Sequence, residues 1–371
     1  LGLEWNLPSR KGLGKKCEEE PAHLPNYLEE CMKNNVMKAV ITGTGSYLPQ
    51  QVITTEELIE RLNLKTIITD PERLELLFTG VRERRFVADG EFASDLAFKA
   101  ASVALKKANL DSRDLDVVIF ASCSHDLLEP ATACILQHKL GASNAHVFDV
   151  KNACNSFLNA LDIAHSFIVG GKAENILIAA GETCSKSIDW NIQALSDLKT
   201  RLAGLTVGDG GGAFVVQSAL NTTRGIIGTH FYSDGSHWDL ALIPGGGAMY
   251  PRNLEKLYFY SKSGELVRVL KKTFPAVDAK AFAQIGLKPE QVDFFIYHQA
   301  SKVVVERILK EIHVPLSKTL FTIEKFGNTA AASIPIVSVE AESLGLLKAG
   351  MMTALVSAAS GFGIGHVLLE W

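Results

Sequence analysis

The sequence predicts an α/β protein in which helices cover the faces of central sheets and the second half repeats the first. Two observations carry this expectation. Short, wholly apolar runs alternate with amphipathic stretches of helical spacing. Landmarks of the first half then recur, in the same order, in the second.

Taken in order from residue 37, "KAVITGTGSYLP" reads as a strand and turn. "FASDLAFKAASVALKKANL" reads as an amphipathic helix ended near the Asp111-Ser112 turn. "DVVIFAS" is a short buried strand and "PATACILQHKL" a helix. "SFLNALDIAHSFIVGG" is a helix stopped by Gly170-Gly171, and "NILIAAGE" and "GAFVVQS" are further strands. In the second half "RGIIGTHFYSDGS" echoes the opening strand, "VDFFIYHQAS" echoes "LDVVIFASCS", and "MTALVSAASGFGIGHVLLEW" supplies the closing strands. The expected division is therefore 37–220 and 221–371. Residues 1–36 mix charge clusters with Pro21 and Pro25, lack the apolar centre of a secretory signal, and read as an N-terminal extension or leader.

A chain of 371 residues, 47% hydrophobic and 21% charged, has the length and composition to bury a large core. A net charge of −4 gives no support for nucleic-acid binding. No apolar run reaches the length of a membrane span. Six cysteines in this length do not form a disulfide framework, so a reducing cytoplasm is expected. Cys123, His125, Cys134 and His138 match no common zinc spacing, and no metal or other cofactor is expected. "GTGSYLP" lacks the third glycine of a dinucleotide fingerprint, and "GDGGG" lacks the Lys-Ser/Thr of a phosphate loop. Tight turns and close backbone packing account for both.

Three residues stand out chemically. Cys154, in "FDVKNACNSFLNAL", follows a strand-like segment and precedes a helix, where the positive end of the helix dipole favours the nucleophilic thiolate. His298, in "YHQAS", ends an apolar strand, and Asn328 lies in the small-residue turn "FGNTAAASIP". Alone, each has a plainer reading: a buried structural cysteine, a satisfied core histidine, a turn asparagine. If the halves are related by a pseudo-twofold axis, equivalent loops meet at one centre and bring the three together.

Together, "NACNSF", "YHQAS" and "FGNTAAASIP" resemble the Cys-His-Asn set of the ketoacyl-carrier-protein synthase III family, within the thiolase superfamily. "TGVRERRF", "VGDGGGAFV" and "YSDGS" resemble further landmarks of that family. The resemblance covers about residues 37–371. It implies a thiolase-like five-layered αβαβα fold, a homodimer, and ping-pong chemistry on acyl groups delivered by CoA or an acyl carrier protein. Cys154 would take the acyl group, and backbone N–H groups of Cys154 and the Ser360-Gly361 turn would hold the oxyanion. His298 and Asn328 would donate hydrogen bonds to the enolate-like oxygen of the second thioester.

Departures from the family pattern bear on the subtype. Leu74 stands where housekeeping synthases carry an adenine-stacking Trp, and Phe78 where an Arg contacts CoA. Ser301 and Ser360 replace the usual Asn and Gly. These changes argue against ordinary acetyl-CoA priming. In "HDLLEPATA", Glu129 occupies the place of an aromatic residue inserted across the dimer. A glutamate there resembles the head-to-head condensing enzymes of long-chain olefin biosynthesis and the α-pyrone synthases, where it removes a proton from an acyl α-carbon in the partner's site. A non-malonyl donor needs such a base; a malonyl donor generates its carbanion by losing carbon dioxide. The plainer reading is a surface glutamate at a helix start. Arg268, Lys271, Lys272 and Lys302 are candidates for docking an acidic carrier protein, or simply face solvent. The expected function is carbon–carbon bond formation between two acyl or β-ketoacyl thioesters. Decarboxylative initiation of fatty-acid synthesis, acyl transfer to an O or N acceptor and an inert partner subunit are the alternatives.

Overall fold

The computed structural model describes residues 36–371, apart from 71, 73, 75, 76 and 79. The expected extension up to residue 35, and Thr79 of "TGVRERRF", lie outside the described residues.

One sheet is built from β1 (Lys38–Tyr47), β4 (Val117–Ala121), β5 (His146–Val150), β6 (Asn175–Glu182) and β7 (Gly210–Ala219), in the order β1-β7-β6-β4-β5. β4 runs parallel to β5 and β6, while β6–β7 and β7–β1 are antiparallel. The second sheet contains β8 (Gly225–Ser233), β11 (Phe294–Tyr297), β12 (Met352–Ala359) and β13 (Gly363–Glu370), in the order β11-β12-β13-β8. Its pairings run parallel, antiparallel, antiparallel. The two sheets thus share one order and one set of directions, β1-β7-β6-β4 answering β8-β13-β12-β11. Even β5 has a trace in the second half, where Thr319 makes a single parallel bridge to Phe295 of β11. Two small pairs lie outside these sheets: β2 (Gln51–Thr54) with β3 (Glu83–Phe86), and β9 (Ala241–Leu242) with β10 (Tyr260–Ser261).

Side-chain alternation along each strand decides the layering. In β4, Val117, Ile119 and Ala121 enter the central core, whereas Val118 and Phe120 enter an outer one. The outer core is completed by α1 (Ala93–Ala108) and α2 (Thr132–Leu140). The central core holds α3 (Ser156–Val169) and α6 (Ser333–Ser343), with strands of both sheets on either side. α4 (Ser263–Ile285) and α5 (Lys302–Glu311) cover the far face of the second sheet. The result is αβαβα, as expected. Each large apolar side chain in these cores contributes about 1.5–3 kcal/mol on burial, and β4 and β11 are buried along their whole lengths.

The glycine runs serve this close layering. A Cβ at Gly43 or Gly45 would lie 2.2 and 2.1 Å from carbonyl oxygens of α1. In "GDGGG", a Cβ at Gly211 would lie 2.3 Å from Leu96 O of α1, and one at Gly212 2.3 Å from Pro335 Cγ of α6. β7 is therefore pressed between two helices, and its glycines give the backbone room for that close approach.

Candidate active site

The carboxyl ends of parallel strands collect chemistry in layered α/β folds, and three of them do so here. β4 leads into Cys123, β6 ends on Glu182, and β11 leads into His298. Cys154 arrives from the edge strand β5 through a sharp turn. Ala153 takes φ +47°, a left-handed conformation costing a non-glycine residue about 1–2 kcal/mol. Ser156 stabilises the turn: its Oγ accepts from Asn152 N–H at 2.8 Å and donates to Ala153 O at 2.7 Å. The turn sets Cys154 two residues before α3, at the positive end of the helix. Ser357 Oγ of β12 donates to Cys154 O at 3.1 Å, tying this backbone to the second half.

The Cys154 thiol is held well below its usual pKa. The largest cause is the neighbouring Cys123 thiol; burial opposes it, and the charge of His298 assists. Cys123 moves the opposite way, up, for the same contact and for its burial. For His298, burial pulls the pKa down, but the Cys154 sulfur outweighs it and the net direction is up. Neither His298 ring nitrogen has a hydrogen-bond partner by geometry, although the side chain is 7% exposed. Its interaction with Cys154 is therefore electrostatic attraction across a gap rather than a formed hydrogen bond.

The residue after His298 explains how the ring is held. Gln299 turns into the interior, where its Oε1 accepts from Thr322 N–H at 2.8 Å and Ile323 N–H at 2.9 Å. Its own N–H donates to Ser333 Oγ at 3.0 Å. Asn328 accepts at its side-chain oxygen from Ala330 N–H at 3.0 Å, and its backbone is fixed to Thr206 O and Gly208 N–H at 2.9 and 3.0 Å. The carboxamide NH2 is the group it has left to offer. Ala330, at φ +44°, is the second strained non-glycine residue beside the site. Its backbone is among the influences that raise the His298 pKa.

Glu182 lies beneath this group with its side chain fully buried. It accepts from Cys123 N–H at 2.9 Å, Ser124 N–H at 3.2 Å, Ser124 Oγ at 2.8 Å and Ala331 N–H at 3.3 Å. Burial pushes its carboxyl up to about 7. Sequence reasoning missed both Glu182 and the proximity of Cys123. The available signal was their position, Cys123 beyond the carboxyl end of β4, which neighbours the strand leading to Cys154, and Glu182 at the end of β6, one strand further in.

The other predicted residues fall as follows. Ser360 sits in the β12–β13 turn, where Gly361 and Phe362 take φ +76° and +53°. Glu129 is exposed, outside the buried cluster, on the loop beyond Cys123 and beside Leu127 and Leu128, which are 52% and 86% exposed. Arg268, Lys271 and Lys272 are exposed on α4, whereas Lys302 is occupied by Glu324 at 2.7 Å. Leu74 and Phe78 are buried in one cluster with Leu58, Leu62 and Leu205.

The chain is 34% identical, over 331 residues, to the β-ketoacyl-(acyl-carrier-protein) synthase III of Methylococcus capsulatus, spanning 89% of this chain and 98% of that protein. It belongs to the synthase III family. Residues 148–235 match the profile of 3-oxoacyl-(acyl-carrier-protein) synthase III, and residues 282–371 that of its C-terminal part. The crystal structure of the synthase III from Aquifex aeolicus superposes with a TM-score of 0.78 at 32% identity, covering 90% of this chain and 100% of the other. OleA of Xanthomonas campestris, crystallised with lauric acid and lauroyl-CoA, superposes with a TM-score of 0.81 at 26% identity, covering 90% and 99%. As a synthase III the chain is a condensing acyltransferase of thiolase fold, which joins thioesters by Claisen condensation.

Proposed function

We propose that this synthase III joins two long acyl thioesters through an acyl group carried on Cys154. One observation carries the reading: a depressed thiol beside a buried imidazole whose two nitrogens are unpaired. The Cys154 sulfur attacks the thioester carbonyl, and the oxyanion is held by the N–H groups of Cys154 and Ser360. The carrier thiolate leaves with a proton, and the acyl group stays on sulfur. The second thioester then loses its α-proton to a base. Its enolate oxygen is held by His298 and the Asn328 amide, its α-carbon attacks the acyl carbonyl, and Cys154 departs as thiolate.

Glu129 from a second copy of the chain is the base in this scheme. Exposed Leu127 and Leu128 beside it, and the edge strand β5, which among the described residues pairs only with β4, give a second copy an apolar and a hydrogen-bonding surface to join. Burial of Leu74 and Phe78 in an apolar cluster leaves neither side chain to stack on or pair with a nucleotide, which supports a thioester other than acetyl-CoA. The likeness to OleA with lauroyl-CoA supports a long acyl chain. Carrier-protein delivery is supported by a groove between α4 and α5, floored by Leu270, Phe274 and Ile308 and flanked by Lys271 and Arg307. No helix among the described residues is long and apolar enough to cross a membrane. Cys123, Cys134, Cys154 and Cys184 are free thiols, which fits a cytoplasmic setting.

The test is intact-mass spectrometry after incubation with lauroyl-CoA. A lauroyl adduct is expected on the wild type and lost in Cys154→Ala; a wild type that takes no acyl group from any thioester ends the reading. The second reading, decarboxylative condensation with a malonyl donor, is favoured by identity to the synthases III named above. Glu129→Gln separates the two. It lowers non-decarboxylative condensation by about 100-fold or more, the usual contribution of a general base, and leaves carbon dioxide release from malonyl thioester in place.

A further inference from the structure

We propose that Glu182 is a positioning residue of the condensation site, its carboxyl holding the Cys123–Ser124 loop and the Asn328 turn around Cys154 and His298. The inference rests on the acyl-Cys154 reading above. Glu182 accepts three hydrogen bonds from the loop after β4 and a fourth from Ala331, 149 positions away in the other half. It acts on Cys154 through Cys123, whose backbone it anchors and whose thiol is the largest influence lowering the Cys154 pKa. It acts on the acceptor side through Ala331, which follows Ala330 in the turn that begins at Asn328.

The choice of a carboxyl has a physical reason. All its contacts are donors, the Cys184 thiol included, and both carboxylate oxygens accept; the amide of a glutamine would set an NH2 against some of them. The donors are neutral, so the negative charge remains uncompensated and reaches its neighbours. Those are Cys123 on the β4 loop, Cys154 before α3, Cys184 after β6 (3.9 Å from Oε2), and His298 after β11, with Asp209 beyond Cys184. The charge favours the protonated imidazole and opposes a second negative charge on Cys154. It therefore keeps His298 a donor for the enolate oxygen.

The experiment uses the full chain as wild type, Glu182→Gln and Glu182→Asp. Two rates are followed against pH: alkylation of Cys154 by iodoacetamide, and acyl loading from lauroyl-CoA. Removing the charge lowers the pKa of both the thiol and the imidazole. Both inflections of the glutamine variant should therefore move about one pH unit toward acid, and condensation should slow more than loading. The aspartate variant keeps the charge and should keep the inflections. A folded glutamine variant with unmoved inflections overturns the proposal. Where the variants do not fold, infrared difference spectra of the wild type decide. Alkylating Cys154 removes its negative charge, so the buried carboxylic acid band of Glu182 should shrink near neutral pH; an unchanged band overturns the proposal. A wild type that never loads an acyl group sinks the functional reading instead, and loading with unmoved inflections sinks only the role of Glu182.

Discussion

Replacing Glu182 with glutamine should change how stability depends on pH, independently of catalysis. Glu182 titrates near 4.5 when unfolded and at about 7 when folded, because burial disfavours its charge. Between those values the native state binds more protons than the unfolded chain, so stability falls as pH rises. The loss is absent below about pH 4.5 and complete above about pH 7. A difference of about 2.5 pH units corresponds to about 3 kcal/mol, and with the side chain 0% exposed no solvent screening reduces it. The assay is urea unfolding of both proteins at pH 5 and pH 8. Glutamine should gain about 2–3 kcal/mol on the wild type between the two conditions, whatever its own packing cost, because that cost cancels in the difference. Asp209, pushed up to about 6 by burial, titrates in the same window but is present in both proteins. Parallel pH dependences would refute the reasoning, since they would mean that Glu182 is not ionised at a cost in the folded protein.

Cys123→Ala should raise the pH at which Cys154 is alkylated, because the thiol that most lowers its pKa is gone; alkylation at pH 6 should slow about tenfold. Asn328→Ala should cut condensation by about 100- to 1000-fold, the worth of one lost donor to a developing oxyanion, while acyl loading measured by intact mass persists. Gly212→Ala drives a Cβ to 2.3 Å from Pro335 Cγ, a rigid ring with nowhere to swing. Thermal melting should register a loss of about 3 kcal/mol or more, or no soluble protein. Arg268→Glu with Lys271→Glu should raise KM for carrier-bound substrate and leave the acyl-CoA reaction unchanged, a contrast that steady-state kinetics reads directly.

Much of the fold was legible because it is written in local period and internal repetition. "DVVIFAS" and "FFIY" are apolar at every position, as strands buried on both faces must be, and the repeat of "LDVVIFASCS" in "VDFFIYHQAS" matches two sheets of identical order. The glycine runs were legible as packing sites because they lacked the residues a phosphate requires. Cys154, His298 and Asn328 stand out in the sequence by position, each at the end of a strand or in the turn before a helix, and their joint role is what the proposed function puts to the test. Glu182 and Cys123 were not. Both look like ordinary strand-end residues, and the sequence gives no sign that one carboxyl will meet backbone donors from both halves.

What the sequence determined by itself was the layered architecture and the residue types available for thioester chemistry, because burial pattern and repeat are properties of neighbours along the chain. Only the tertiary structure decided the electrostatics of the site. The depressed thiol, the unpaired imidazole and the raised carboxyl arise from groups far apart in sequence brought together with little water, where each charge is set largely by its neighbours.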